Sequence, residues 1–245
     1  MSESKVNVIC MKWGTKFGPH YVNRLYAMVQ RHLSLPHRFV CFTDDSEGVV
    51  EGVECLPLPD MDLPPGKERG WRKLSTFQDP LFDLQGPTLF LDLDVVVVGS
   101  LNDFFKISGD FRVIHDWLRP RRIEGNTSVY RFEANAHPDA FAYFMEHIDE
   151  VKANFRHEQA FLSDYMHKKG VLEYWPPEWC VSFKRSCLPP FPANLWKVPE
   201  IPEGARVVVF HGNPNPEDAI AGRIKGFLRF LKPTPWVEEH WCLDR

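Results

Sequence analysis

The chain has 245 residues, 44% of them hydrophobic and 25% charged, with a formal net charge of -4 at neutral pH. Such a length and composition suit one globular domain with a full buried core, and the acidic balance excludes general attraction to nucleic acid or anionic lipid, so an anionic ligand must meet local positive charge. No apolar run reaches the roughly 18 to 20 residues of a membrane span, and the opening residues carry no secretion signal.

The six cysteines (Cys10, Cys41, Cys55, Cys180, Cys187 and Cys242) form no CxxC pair and no zinc-like spacing. Buried free thiols in a reducing cytosol are expected.

In chain order, residues 6–11 are expected as a buried strand and 21–33 as a helix, because Tyr21, Val22, Leu25, Met28, Val29 and Leu33 recur at near-helical spacing. Residues 39–42 form a second strand, closed by the turn residues Thr43, Asp44 and Asp45. The Pro- and Gly-rich stretch 57–70 predicts a loop, 71–77 a short helix, and 88–93 a strand. Further strands are expected at 111–115, 128–132 and 206–210, and helices at 138–151 and 158–167. Residues 175–202, rich in Pro and aromatics, predict an irregular part. In residues 220–231 (IAGRIKGFLRFL) apolar side chains fall on one helical face among basic ones, which suits a closing helix packed on the core or one lying peripherally on a membrane. Continuous apolar strands between helices predict an α/β fold with a mainly parallel sheet covered on both faces. One domain is expected, with a first half to residue 105, a second from 106 to 218, and a tail from 219 to 245.

In an open α/β sheet, ligands bind at the carboxyl ends of the strands. Three such ends stand out. The strand at 88–93 runs into Asp92 and Asp94, and period-2 alternation puts both carboxylates on one face. Carboxylates so close repel each other unless a cation neutralises them, and a hard divalent ion is the natural partner. The strand at 206–210 runs into His211, Gly212 and Asn213. A His there can supply a nitrogen ligand, favouring Mn over Ca, and Gly212 lets backbone approach a phosphate. The first strand runs into Lys12, Trp13, Gly14, Thr15 and Lys16, a basic loop with an aromatic that can hold a nucleotide by phosphate charge and base stacking. No GxGxxG or GxxxxGK[ST] fingerprint accompanies it.

Residues 71–105 (WRKLSTFQDPLFDLQGPTLFLDLDVVVVGSLNDFF) resemble the central block of family-8 glycosyltransferases, the glycogenin and lipopolysaccharide-glycosyltransferase type. The match runs through Lys73 and Leu74, the DxD pair Asp92 and Asp94, and residues 102–105. Other blocks keep the same order: Asn126 to Val129 (NTSV) is similar to an Asn-Ser-Gly strand at the donor sugar, Glu158 and Gln159 (EQAFLS) to a helix start, and residues 209–212 to the strand ending in a metal-binding His. The resemblance implies a GT-A (Rossmann-like) fold and transfer of a hexose from a nucleotide-diphosphate sugar, a UDP-sugar, with retention of configuration. The acceptor would be a saccharide, a lipid-linked saccharide or a protein.

It further implies a Mn or Mg ion on Asp92, Asp94 and His211, and catalytic roles for Lys73, Glu158 and Gln159. Nucleotide contacts fall to Lys12, Trp13, Thr15, Tyr21, Thr43 and Asp44, and donor-sugar contacts to Asn126, Ser128, Gly212 and Asn213. The family's Lys-Pro-Trp after the metal His is replaced by Asn213, Pro214, Asn215 and Pro216, with Lys225 and Lys232 as candidate substitutes for its Lys. Glu158 stands where Asp is usual and Ser128 where Gly is common.

Two other readings share these residues. The run into Asp92 and Asp94 also resembles the opening of haloacid-dehalogenase-type phosphatases, where the first Asp is a nucleophile, although here a β-α-β unit precedes it. A catalytically inactive sugar-nucleotide-binding protein could keep the same set.

Overall fold

A computed structural model describes residues 5–64, 70–226 and 229–243. Its first unit is β1 (Val6–Lys12), α1 (Pro19–His32) and β2 (His37–Thr43), the β-α-β opening the sequence predicts. All seven residues of β1 are buried, which an apolar strand allows only when both sheet faces are covered. Helix α1 starts at Gly18 with Pro19 in its first turn, where a missing N–H costs nothing. It ends as Leu33 turns extended, with Arg31 and His32 favourably placed at the negative end of the helix dipole. Its buried stripe of Tyr21, Val22, Leu25, Met28 and Val29 lies against the sheet.

Strand β3 (Glu54–Leu56) adds to the sheet edge, and a 3₁₀ segment, Trp71–Phe77, leads to β4 (Pro87–Leu91), β5 (Val95–Val97) and a second 3₁₀ turn, Asn102–Phe105. There follow β6 (Phe111–His115), β7 (Gly125–Glu133), α2 (Pro138–Glu146), α3 (Ile148–Asn154), α4 (Glu158–Lys168), β8 (Leu172–Tyr174), β9 (Cys180–Ser182), β10 (Val207–Val209), α5 (Pro216–Ile220) and α6 (Pro235–His240). The main sheet has the order β3-β2-β1-β4-β7-β6-β8. Its pairs are parallel except where β7 lies between β4 and β6. A small second sheet is ordered β5-β10-β9.

Alternation along the strands divides the core in two. Val8, Cys10, Leu89 and Leu91 face α1 and the small sheet. Ile9, Met11 and Phe90 face the 3₁₀ segment and helices α2–α4, with Trp71, Phe77, Phe144 and Phe161 beneath them.

Three expectations are corrected. The strand predicted at 88–93 stops at Leu91, so Asp92 and Asp94 lie in the turn between β4 and β5, and that turn rather than strand alternation sets their closeness. The helix predicted at 138–151 is two helices meeting at His147. The helix predicted at 220–231 is absent among the described residues: α5 ends at Ile220, and Gly222 (φ 66°) and Gly226 (φ 130°) take left-handed backbone that no helix continues. A Cβ on Gly222 would meet Pro233 at 2.8 Å, so the chain there folds back upon itself. Phe227 and Leu228 of that expected helix lie outside the described residues. With the helix goes the amphipathic face offered for membrane contact; no described helix is long and apolar enough to cross a membrane.

Candidate active site

The turn after β4 is held open by backbone pairing on both sides. Asp92 N–H donates to Ser128 of β7 at 2.9 Å, and Asp94 C=O accepts from Phe210 N–H, just past β10, at 2.9 Å. The two carboxylates thus stand where both sheets converge, and His211 follows directly on the strand paired with Asp94.

Lys73 reaches this turn from the 3₁₀ segment. Its Nζ lies 2.7 Å from Asp92 Oδ1 and 2.9 Å from Oδ2, donates to Thr127 C=O at 3.2 Å, and sits 3.9 Å from Glu158 Oε1. Burial opposes its charge, yet Asp92 and Glu158 hold its pKa above the ordinary lysine value. Glu158, at the start of α4, is buried and accepts the Thr127 hydroxyl. Gly70 closes the group from behind: its φ is 80°, and a Cβ there would stand 2.5 Å from Glu158 Oε2.

Asp94 is the stressed member. Burial, and next the charge of Asp92, push its carboxyl up to about 7, while Lys16 and Lys73 pull it back. Two carboxyl groups so close, one of them buried, make a site where added positive charge is favourable. The oxygen-rich Asp92–Asp94 turn therefore suits a hard divalent ion. His211 is differently engaged. Its Nε2 is 2.7 Å from Ser182 Oγ, and its ring stacks on Trp117 at 5.7 Å. Burial, then Lys184 and Arg185, lower its pKa to about 4, so the imidazole is neutral, the form in which a ring nitrogen can ligate. Among the described residues no three His, Cys, Asp or Glu side chains stand together as a metal-donor set.

A cleft of about 230 Å³ opens over this turn, walled by Trp13, Lys16, Phe17, Gly70, Lys73 and Asp94. A larger hollow of about 630 Å³ lies against α2, α3 and α4 around Tyr143 and Phe161 and shares none of these residues. The larger hollow also carries ion pairs, Lys168–Asp164 and Lys169–Asp139, but those are largely in water, whereas the smaller cleft holds the largely buried lysine beside two carboxylates and is the candidate site.

The structure brings Trp13, Lys73, Asp92 and Asp94 to one cleft, with Glu158 joined through Lys73. Other candidates have structural posts. Lys12 is buried, and its Nζ donates to Asp45 C=O at 2.7 Å, closing the turn after β2. Thr43 Oγ1 donates to the same carbonyl at 2.8 Å, and Asp44 accepts Gly14 N–H at 2.9 Å, tying the first loop to the second. Thr15 is exposed on that loop. Tyr21 is buried between Phe17 and Trp241 and donates to Glu217 of α5.

Asn126 Oδ1 accepts Ser128 N–H at 3.1 Å, and both lie on β7 beside Asp92. Gln159 lends its carbonyl to Ser163, whose hydroxyl accepts Gly125 N–H at 2.7 Å, so the start of α4 fixes the entry to β7. Gly212 (φ 75°) follows His211, and Asn213 is spent on Asp218 at 3.0 Å and Lys225 N–H at 2.6 Å. That pairing also uses the Lys225 backbone and leaves its side chain exposed. Sequence reasoning missed Gly70, Thr127 and Ser182. Only Gly70 left a trace, a glycine directly after the charged run 67–69 and just before the apolar Trp71.

The mixed, mainly parallel sheet with helices on both faces is the GT-A, Rossmann-like fold. One solved structure it resembles is the galactosyltransferase LgtC in complex with donor and acceptor sugar analogues, with a TM-score of 0.58 over 86% of this chain and 88% of that one, at 13% identity. At that identity the likeness is one of fold. No protein-family model matches the sequence, and neither does any curated protein.

Proposed function

We propose that the chain is a metal-dependent glycosyltransferase that moves a hexose from a nucleotide-diphosphate sugar, a UDP-sugar, to a saccharide acceptor with retention of configuration. The observation that carries this reading is the cluster of Lys73, Asp92, Asp94 and Glu158 at the sheet junction of a GT-A fold. Transferring a glycosyl group leaves negative charge on the departing diphosphate, and preorganised positive charge aimed at that position is the main means of stabilising it. A Mn or Mg ion, when held by Asp92 and Asp94, supplies Lewis-acid stabilisation there. His211, whose Nε2 now meets Ser182 Oγ at 2.7 Å, would be the third residue to hold such an ion.

The chain's own residues do the remaining work. Lys73 bridges Asp92 and the Glu158–Thr127 pair, so it locks the carboxylates in place before substrate arrives. Lys16 projects from the first loop toward Asp94 and supplies charge for phosphate; Trp13 and Phe17 offer aromatic faces to the base. Glu158 and Gln159 border the sugar side at the head of α4, with Asn126 and Ser128 on β7.

A thermal-unfolding screen of nucleotide sugars with and without Mn tests the donor. Stabilisation of roughly 2.7 kcal/mol is expected at a hundredfold excess over the dissociation constant. One UDP-sugar should raise the melting temperature only with the metal, and no response from any nucleotide sugar contradicts the reading.

A further inference from the structure

Past His211 the chain forms a second cleft, of about 340 Å³, that shares no wall residue with the one over the carboxylates. Its polar walls are Lys184, Arg185, Arg229, His211 and Asn194, and no carboxylate lines it. Among the described residues, none of the three cations pairs with an acid; Lys184 Nζ donates to His211 C=O at 2.5 Å, which fixes it at the cleft floor. Three cations with no acid in ion-pair contact among the described residues, only the more distant charge of Asp94 acting on Lys184, mark a place for an anion in a chain of net charge -4.

A second observation is independent of charge. Asn194 is only 7% exposed and lines this cleft, and its Nδ2 donates to Phe230 C=O at 3.2 Å. Its buried Oδ1 receives no hydrogen bond from any described residue. An orphaned buried acceptor is costly, and a ligand hydroxyl would satisfy it. The ligand that fits both features carries an anionic group and hydroxyls. Two arginines favour a phosphoryl group, whose oxygens accept forked N–H pairs.

The position decides which substrate this is. Asp94 lines the first cleft and His211 the second, and the two are joined through one backbone pair, Phe210 N–H to Asp94 C=O at 2.9 Å. We propose that the second cleft is the acceptor site and takes a saccharide bearing a phosphoryl group. Lys184, Arg185 and Arg229 hold the phosphoryl oxygens, and a sugar hydroxyl donates to Asn194 Oδ1. Naming the ligand an acceptor rests on the glycosyl-transfer reading; the binding of a sugar phosphate does not.

The test is calorimetric titration of the full chain with glucose 6-phosphate and with glucose, both in a chelator, and with uridine diphosphate in Mn. Glucose 6-phosphate should bind and glucose should not. The exposed pair Arg185→Gln/Arg229→Gln should weaken glucose 6-phosphate by about tenfold or more, the size of one lost charge-assisted hydrogen bond, while its melting temperature and uridine diphosphate affinity stay unchanged. Arg229→Gln alone should give a smaller loss in the same direction. Asp92→Asn should leave glucose 6-phosphate binding intact, so failed sugar transfer and failed phosphate binding are read separately. The assignment is overturned if glucose 6-phosphate does not bind, if the double variant binds it unchanged, or if only uridine diphosphate affinity falls, since the cleft then belongs to the donor.

Discussion

Replacing Lys73 by Met keeps the aliphatic stem and removes the charge that Asp92 and Glu158 share. Three contacts go with it: the two short ones to the Asp92 oxygens at 2.7 and 2.9 Å, and the bond to Thr127 C=O at 3.2 Å. Removing one partner of a buried ion pair costs about 3 to 5 kcal/mol. Asp92 keeps about a fifth of its side chain in water, which screens part of the loss, so about 2 to 3 kcal/mol is expected. In a chain of this size that lowers the melting temperature by roughly 5 to 10 °C in a chelating buffer. Asp92 and Glu158 then lose the charge they share while Asp94 remains beside Asp92, so Mn should recover more stability in Lys73→Met than it adds to the unmodified chain. Adding Glu158→Gln should recover part of the loss without metal. Thermal unfolding of the three proteins with and without Mn is the assay. A melting temperature for Lys73→Met within a degree of the original would refute the electrostatic account of this turn.

Gly70→Ala places a methyl 2.5 Å from Glu158 Oε2 at a φ of 80° and should cost about 1 to 3 kcal/mol; a urea-unfolding midpoint that does not move argues against the packing described. Tyr21→Phe removes the hydroxyl that holds α5 through Glu217 and should lower stability by about 1 kcal/mol, measured the same way. Acid should loosen α6 from α1. His32 and His240 stack at 6.2 Å, and burial, then for His32 the neighbouring His240 and for both Arg31, keep them below the usual histidine value; Glu239 alone pulls His240 upward. The unfolded chain takes up these protons near pH 6.5, whereas the folded one resists until lower pH. Their contribution is therefore complete above about pH 6.5 and is lost as pH falls through the folded values. His32→Asn should flatten the fall in stability between pH 7 and pH 5, and an unchanged slope would count against the pair.

The long elements were legible because their patterns are strong. The apolar run of β1, the helical spacing of α1 and the strand at Phe111–His115 need only local periodicity. The three-residue strands β8 and β9 exist by pairing with distant segments, Tyr174 with Val113 and Cys180 with Val207, while β5 is a valine run that the sequence joins to the preceding strand until the Asp92–Asp94 turn separates them. Residues 220–231 misled because Ile220, Ile224 and Leu231 keep helical spacing while Gly222 and Gly226 interrupt the backbone; glycine's conformational freedom overrode periodicity. In the site, Lys73, Asp92, Asp94 and Glu158 were readable as charged residues in a recognisable order. Thr127 was not, because a neutral hydroxyl on β7 acts only through the Glu158 it meets across the fold. Lys12 and Thr43 showed the converse: polar residues at strand ends that serve the turn itself.

The central claim is that the Asp92–Asp94 turn carries metal-dependent sugar transfer. Its most direct test is release of UDP from UDP-hexoses by the purified chain in Mn, compared with chelator and with Asp92→Ala. The account predicts turnover in Mn only, and its loss in Asp92→Ala while that variant still unfolds cooperatively. Full activity in Asp92→Ala, or equal activity in chelator, would contradict it.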